Sequence, residues 1–441
     1  MVTLEKLPTD ILDEVLLKLP DFATLSAALR ASKAYFYTVF QAHPKTTVLS
    51  IAYNLVGPAL PQAVRVLLPT DDPHLCDEDS ILADRALDRD ACEELQQNAH
   101  IVQRLEDLFS LRNKDRSSVA SRLSPDESFR FHRAVYRFWL YCERVSAEVY
   151  DSPAGYEQLL NSWATTELLE IDRVASFLKD VASWTFTSGS EWPQMWIRVP
   201  SSTHFMRGPA CILSEWENEE LPDDLTDRIF IVNFDTQLRG ILSRRKVSEN
   251  TQETERAKAI IDMAVAAQDC CHRCHAVKGV DLWGRPNWHL LRGFLSLPQM
   301  IRLLEGKLPN NSHEMSQLAE YIHGRDDDDK LTFDWVDFIE ELCDMDTDAE
   351  GPWDKSQWYC LDCLLALIRL RLRKWWLATK VKDGMPINED CWYGYNCRTQ
   401  VHRATHAAKL NVSLSWLRLA YRLSGKGFLQ HLCDPTRGDS A

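Results

Sequence analysis

The sequence predicts a mainly α-helical, multidomain chain with a small α+β region towards its C-terminal end. Three observations carry that expectation. Apolar residues recur at helical spacing, between recognisable caps, through much of the first 250 residues. Runs with strand character are few, the clearest being IFIVNF at 229–234. Nine of the thirteen cysteines lie at or beyond Cys270, and eight of the thirteen histidines lie beyond it, a crowding that favours metal ligation over scattered packing.

Composition places the chain among ordinary folded proteins, with 45% hydrophobic and 26% charged residues over 441 positions. Composition shifts divide it into an N-terminal helical segment at 1–49, a helix-rich middle region at 50–255 and a Cys/His-rich region at 256–441. The formal charge of −15 opposes broad attraction to nucleic acid or anionic lipid. No membrane span is expected, because CLLALIRLRLRKWWL is short and carries four cationic residues from its middle onward. The opening MVTLEKLPTDIL has no apolar leader core, so reduced thiols and a location in cytoplasm and/or nucleus are expected.

In LEKLPTDILDEVLLKLP, Ile11, Leu12, Val15, Leu16 and Leu19 form one apolar stripe. Pro8 suits a helix entrance and Pro20 an exit. Asp21 then caps a second helix whose Leu25, Ala28, Leu29 and Ser32 share a face, and the aromatic run KAYFYTVFQAH supplies a third. Three short helices bury little area alone, so they need a neighbouring domain or a partner.

The run LPTDILDEVLLKLPDFATLSAALRASKAYFYTVFQAH resembles an F-box as found in fungal proteins, over about one ninth of the chain. It shares the Leu-Pro entrance, the Ile-Leu pair, the Leu-Pro junction and the Ala-Ser before an aromatic third helix. That resemblance implies docking on the Skp1 adaptor of a cullin-RING ubiquitin ligase through Leu7, Pro8, Ile11, Leu12, Leu16, Leu19, Leu25 and Leu29. The plainer alternative is a helical cap on the rest of the protein.

LPTDDPHLCDEDS at 68–80 reads as an acidic loop. Ser124 as N-cap, Pro125 at the first helical position and Glu127 closing a capping box mark the clearest helix start. Its Phe131, Val135, Phe138, Trp139 and Cys142 form a core-facing surface. Further helices are expected over 154–169, over 172–181 and up to a helix end near Gln268. His204 and Cys211 read as a structural pair rather than as ligands, and DDDD at 326–329 as a solvated turn lacking the calcium-loop spacing. No nucleotide-binding or hydrolase motif is present, so no catalytic residue is assigned and a non-enzymatic chain is expected.

Cys271-x-x-Cys274 and Cys360-x-x-Cys363 are two pairs whose spacing lets four thiolates converge on one ion, a donor set that zinc favours. Cys270 is an alternative member of the first pair, and His272 and His275 widen the choice. The second pair opens a helix to about Lys380, with Arg369, Arg371, Arg373 and Lys374 expected to reach water or an acidic partner. A second Zn2+ is expected at Cys391, Cys397, His402 and His406, the two histidines sharing one helix face. The whole region therefore reads as zinc-stabilised, with two structural ions.

Fungal F-box proteins of this type end in a similar segment, matched here by Trp358 to Cys360, Cys363, Cys391 to Gln400, His402 and His406 to Asn411. The match then breaks: residues 412–430 separate AAKLN from HLCDPTRG. These nineteen residues correspond to 57 nucleotides with splice-like ends, so they read either as a retained intron or as an amphipathic insertion. His431 and Cys433 are alternative ligands whose place depends on that choice.

Two functions follow as expectations. The first is a substrate-recognition adaptor on Skp1. The second is a zinc-dependent module for nucleic acid or poly(ADP-ribose), suggested by partial resemblance to a poly(ADP-ribose)-binding zinc finger. Its contacts would be Arg398, Arg403, Lys409, Trp392, Tyr393 and Tyr395. A zinc hydrolase would need an open ligand position and a nearby base, and neither can be read in the sequence.

Overall fold

In the computed structural model the described residues are 8–68, 78, 81–82, 87–115, 121–147, 154–189, 205–218, 234–264, 268–322, 324, 333–345, 351–385, 389–390, 396–403, 405–406 and 410–411. The chain is mainly helical and divides into two units. One comprises Met1–Thr185 with Trp196–Ala267, the other Phe186–Met195 with Gln268–Ala441.

The first unit opens with α1 (Thr9–Leu17) and α2 (Phe22–Ala31), followed by a tight aromatic turn and α3 (Thr38–Ala42). Asp21 caps α2 as its side chain dictates, accepting from the Thr24 N–H at 2.7 Å. Leu12, Leu16, Leu25, Phe36 and Val39 bury together with Ile51, which lies on α4 (Pro44–Val56). Ser50 and Asn54 of α4 also donate to the open carbonyl of Leu17, at 3.0 and 2.7 Å. The N-terminal core thus runs through residue 49 without a break, because three short helices cannot close it alone.

Beyond it, α5 (Leu60–Val66), α6 (Arg89–Asn113), α7 (Pro125–Ala147), α8 (Ala154–Asn161) and α9 (Thr165–Gly189) build the main core. The capping box starts α7 as its sequence requires: Glu127 N–H donates to the Ser124 hydroxyl and Ser124 N–H to the Glu127 carboxylate. Phe131, Val135, Phe138, Trp139 and Cys142 are all buried. Phe109, Phe131 and Phe177 meet as an aromatic cluster linking α6, α7 and α9.

Two helix boundaries differ from the sequence expectation. The stretch 154–181 breaks at Ser162 to Ala164 rather than at 170–171, since Glu167 reaches back to the Ala164 N–H at 2.9 Å and starts α9 there. α10 (Pro209–Asn218) and α11 (Phe234–Arg244) lead to α12 (Glu249–Lys258), which stops ten residues before Gln268. Tertiary contacts explain the stop: Arg130 takes the Ile260 carbonyl at 2.8 Å and Glu127 the Asp262 N–H at 3.0 Å. The run 229–233 and the acidic turn 326–329 lie outside the described residues.

The second unit is smaller in regular structure. β1 (Leu282–Trp283) pairs antiparallel with β2 (Tyr359–Cys360), matching Leu282 to Cys360 and Trp283 to Tyr359. Between them lie a 3-10 helix at Arg285–Gly293, α13 (Leu297–Arg302), α14 (Ser312–Ile322) and α15 (Trp335–Asp344). β2 runs directly into α16 (Leu361–Lys382). Arg371 is buried on α16 and donates to the carbonyls of Leu342 and Cys343 at 2.6 and 3.1 Å, capping the end of α15. It does not reach water, because the carbonyls at the end of α15 hold its guanidinium inside the unit. Arg373 meets Glu305 at 2.6 Å and Arg369 is exposed. A second short sheet, β3 (Glu389–Asp390) with β4 (Leu410–Asn411), is parallel, and α17 (Thr399–His402) lies between its strands in the chain. Among the described residues no helix is long and apolar enough to cross a membrane.

Candidate metal centre

Cys271, Cys274, Cys360 and Cys363 converge, their four Sγ atoms lying within 4.8 Å of one another. The register of β1 and β2 makes this meeting, because it fixes Cys360 in the sheet beside the turn that carries Cys271. His272 N–H then donates to the Trp358 carbonyl at 2.8 Å, tying that turn to the strand. Cys360 is the residue preceding α16, and helical spacing places Cys363 one turn on, facing the same point.

The first pair sits on a tight knuckle. Cys271 N–H donates to Ala276 O at 2.9 Å and His275 N–H donates back to Cys271 O at 2.8 Å. Closing that loop puts His275 in the left-handed region at φ 58°. Gly284 completes the support: a Cβ there would meet the Trp358 ring at 2.8 Å, so a side chain could not sit between the sheet and that ring. Trp353 packs on Tyr359 at 4.9 Å, and the Arg273 guanidinium lies 4.7 Å over Trp353.

Electrostatics prepare the cage for a cation. Burial pushes the Cys271 thiol up, yet N–H groups of Cys274, Cys360 and Arg273 aimed at its sulfur outweigh that and bring it down to about 7. The Cys360 N–H to Cys271 Sγ distance is 3.2 Å. Burial raises Cys360, and Cys363 is raised by burial and then by the neighbouring sulfurs. Four sulfurs at such separations cannot all carry charge without a cation among them.

The donor set fits zinc. A tetrahedron with Zn–S of about 2.3 Å has sulfurs about 3.8 Å apart, and Cys274 and Cys360 stand at 3.7 Å. Cys271 and Cys360 are buried, Cys363 is half-buried and Cys274 is exposed. Four protein sulfurs fill the tetrahedron and leave no position for a substrate or a catalytic water, so the site can join chain segments but offers no Lewis-acid chemistry. Cys270 is exposed and stands outside the four-thiol group.

The other expected ligands are placed differently. Cys397 is buried and its Sγ lies 3.3 Å from His406 Nε2. His402 is exposed on α17, and Cys391 lies outside the described residues. The two histidines do not share a helix face, because Arg403 turns extended at φ −128° and ψ 98° and ends α17. Cys211 donates to Glu215 at 3.1 Å, and burial first, then that carboxylate, push its thiol up to about 12. His204, His431, Cys433 and 412–430 lie outside the described residues.

Of the expected docking residues, Leu12, Leu16 and Leu25 are core, Leu19 and Leu29 are half-buried, and Pro8 and Ile11 are exposed. Leu7 lies outside the described residues. Leu16 has no accessible area, and Leu12 and Leu25 keep only a few per cent of theirs. Val15, one turn beyond Ile11, is exposed beside it; it is not among the expected docking residues, although its helical spacing puts it on the same strip. In the metal centre, sequence spacing located the four sulfurs but gave no sign of the N–H donors around Cys271. Comparison with known proteins finds no matching family model, no matching curated protein and no matching solved structure.

Proposed function

We propose that the chain is a non-catalytic binding protein whose C-terminal unit is clipped together by a structural Zn2+ in the four-cysteine cage. The convergence of all four thiols carries this reading, since four protein sulfurs close the tetrahedron and the ion they hold would tie two chain segments together. Cys397 and His406 form the pair on which a second zinc site would be built.

The role we assign is that of an adaptor of the F-box type, docking on a Skp1-like subunit of a cullin-RING ligase. Its contribution is to bring a bound protein close to a ubiquitin-transferring partner. Support comes from α1, where Ile11 and Val15 remain 43% and 40% exposed directly above the buried Leu12 and Leu16. Pro8 extends that strip at the helix entrance. The inner leucines hold the surface up, while the outer residues form it.

The test is a pull-down with purified Skp1, comparing wild type with Ile11→Asp and Val15→Asp. These substitutions leave the core closed, so capture should fall at least about tenfold, equivalent to about 1.4 kcal/mol. Undiminished capture by both folded variants would remove the docking face.

A second reading is a zinc-dependent module for nucleic acid or poly(ADP-ribose). It is favoured by the cage itself and by exposed Arg398 and Arg403 flanking the Cys397–His406 pair. Binding that weakens steadily with salt and on Arg403→Ala would support it over the adaptor role.

A further inference from the structure

The four thiols of the cage differ in their access to solvent, and that difference has chemical consequences. Cys274 is exposed, whereas Cys271 and Cys360 are buried and Cys363 is half-buried. An oxidant arriving from water therefore meets Cys274 first. The Cys360 sulfur lies 3.7 Å away, across the junction between the two knuckles. Cys271 is already engaged by the Cys360 N–H at 3.2 Å and lies on the inner side.

We propose that the cage is an oxidative modification site at which a hydroperoxide joins Cys274 to Cys360 and expels the metal, so that a covalent bridge replaces the ionic one. The inference rests on the metal reading given above. In the first step the Cys274 thiolate attacks the distal peroxide oxygen, the O–O bond breaks, and a sulfenic acid forms with loss of the alkoxide, which is hydroxide when the oxidant is hydrogen peroxide. In the second, the Cys360 thiolate attacks the sulfenic sulfur, an S–S bond forms and hydroxide leaves. The two sulfurs lose two electrons in total and the peroxide gains them. Zinc loses two of its four ligands and departs, while Cys271 and Cys363 take protons from water.

The choice of pair decides the outcome for the fold. A bond within either C-x-x-C pair would release the knuckles from each other. A Cys274–Cys360 bond keeps closed the loop between residues 86 positions apart. Cys270 is the competing thiol, being exposed and one residue from the cage. Its backbone bridges to Val277, on the hairpin that carries the first knuckle rather than on the strand that carries Cys360.

The test uses the full reduced chain, wild type and Cys270→Ser, treated with hydrogen peroxide, then alkylated and digested with trypsin without reductant. Zinc content measured before peroxide reports on the metal reading by itself. The expected result is loss of one zinc per chain in step with a cross-linked species joining peptide 274–278 to peptide 356–369. Fragmentation should place its bond at Cys360, and both proteins should give it. Cys274 found joined to Cys271 or Cys270, or over-oxidised with Cys360 still alkylated, would overturn the inference whatever the initial zinc content.

Discussion

His275 stands where the knuckle needs a left-handed residue, at φ 58°, with its N–H returning to the Cys271 carbonyl at 2.8 Å. A histidine tolerates that region better than a β-branched side chain, which is a genuine outlier there. His275→Val should therefore weaken zinc retention, read as a lower chelator concentration at half-release, by about 1–2 kcal/mol. Unchanged retention would mean that the knuckle does not depend on this turn. The sulfur positions were legible because two-residue gaps are a local property of the chain. The N–H donors around Cys271 were not, since one of them comes from Cys360, 89 residues away.

Between α5 and α7 a single carboxylate holds several donors. Glu78 accepts from Arg65, from Gln62 at 2.5 Å, from Arg137 at 2.7 and 3.0 Å, and from the Trp163 indole at 3.3 Å. Burial alone would raise this carboxyl, but Arg137 first, then Gln62 and Arg65, hold it below the usual glutamate value of 4.5. A depressed folded value means that the contribution is fully present above about pH 4.5 and is lost as pH falls through the folded value. Glu78→Gln should cost about 1–3 kcal/mol at neutral pH by removing the carboxylate that buried Arg65 and Arg137 share, Arg137 keeping its pair with Glu167 at 3.0 Å. In denaturant melts the variant should also lose much of the wild-type stability change below pH 4.5; an identical acid limb would refute the hub. The helices around it were readable from caps and stripes, including the Ser124 start of α7. The hub was not, because a glutamate in an acidic loop gives no local sign of a buried partner. The same limit applies at α1, where periodicity found the apolar stripe but could not divide it into the Leu12 and Leu16 core and the Ile11 and Val15 surface.

Over the whole molecule, the two units are held by different means. The first relies on an aromatic and aliphatic core. In the second, an ion held by the four thiols would add a bridge between the 271–274 turn and the start of α16. A chelator should therefore increase proteolysis and hydrogen exchange around 268–284 and 356–365 while leaving α6, α7 and α9 protected. Equal loosening of both regions would assign the metal a different role. The helical class and the crowding of ligands at the C-terminal end were legible from composition and spacing. The absence of a break at residue 49 was not, because Ile51 joins the N-terminal core through packing alone. The most direct test of the central claim is zinc content by elemental analysis of purified wild-type chain and of Cys271→Ser and Cys360→Ser. The account predicts that each variant holds one zinc fewer per chain than wild type, whereas equal zinc in all three would contradict it.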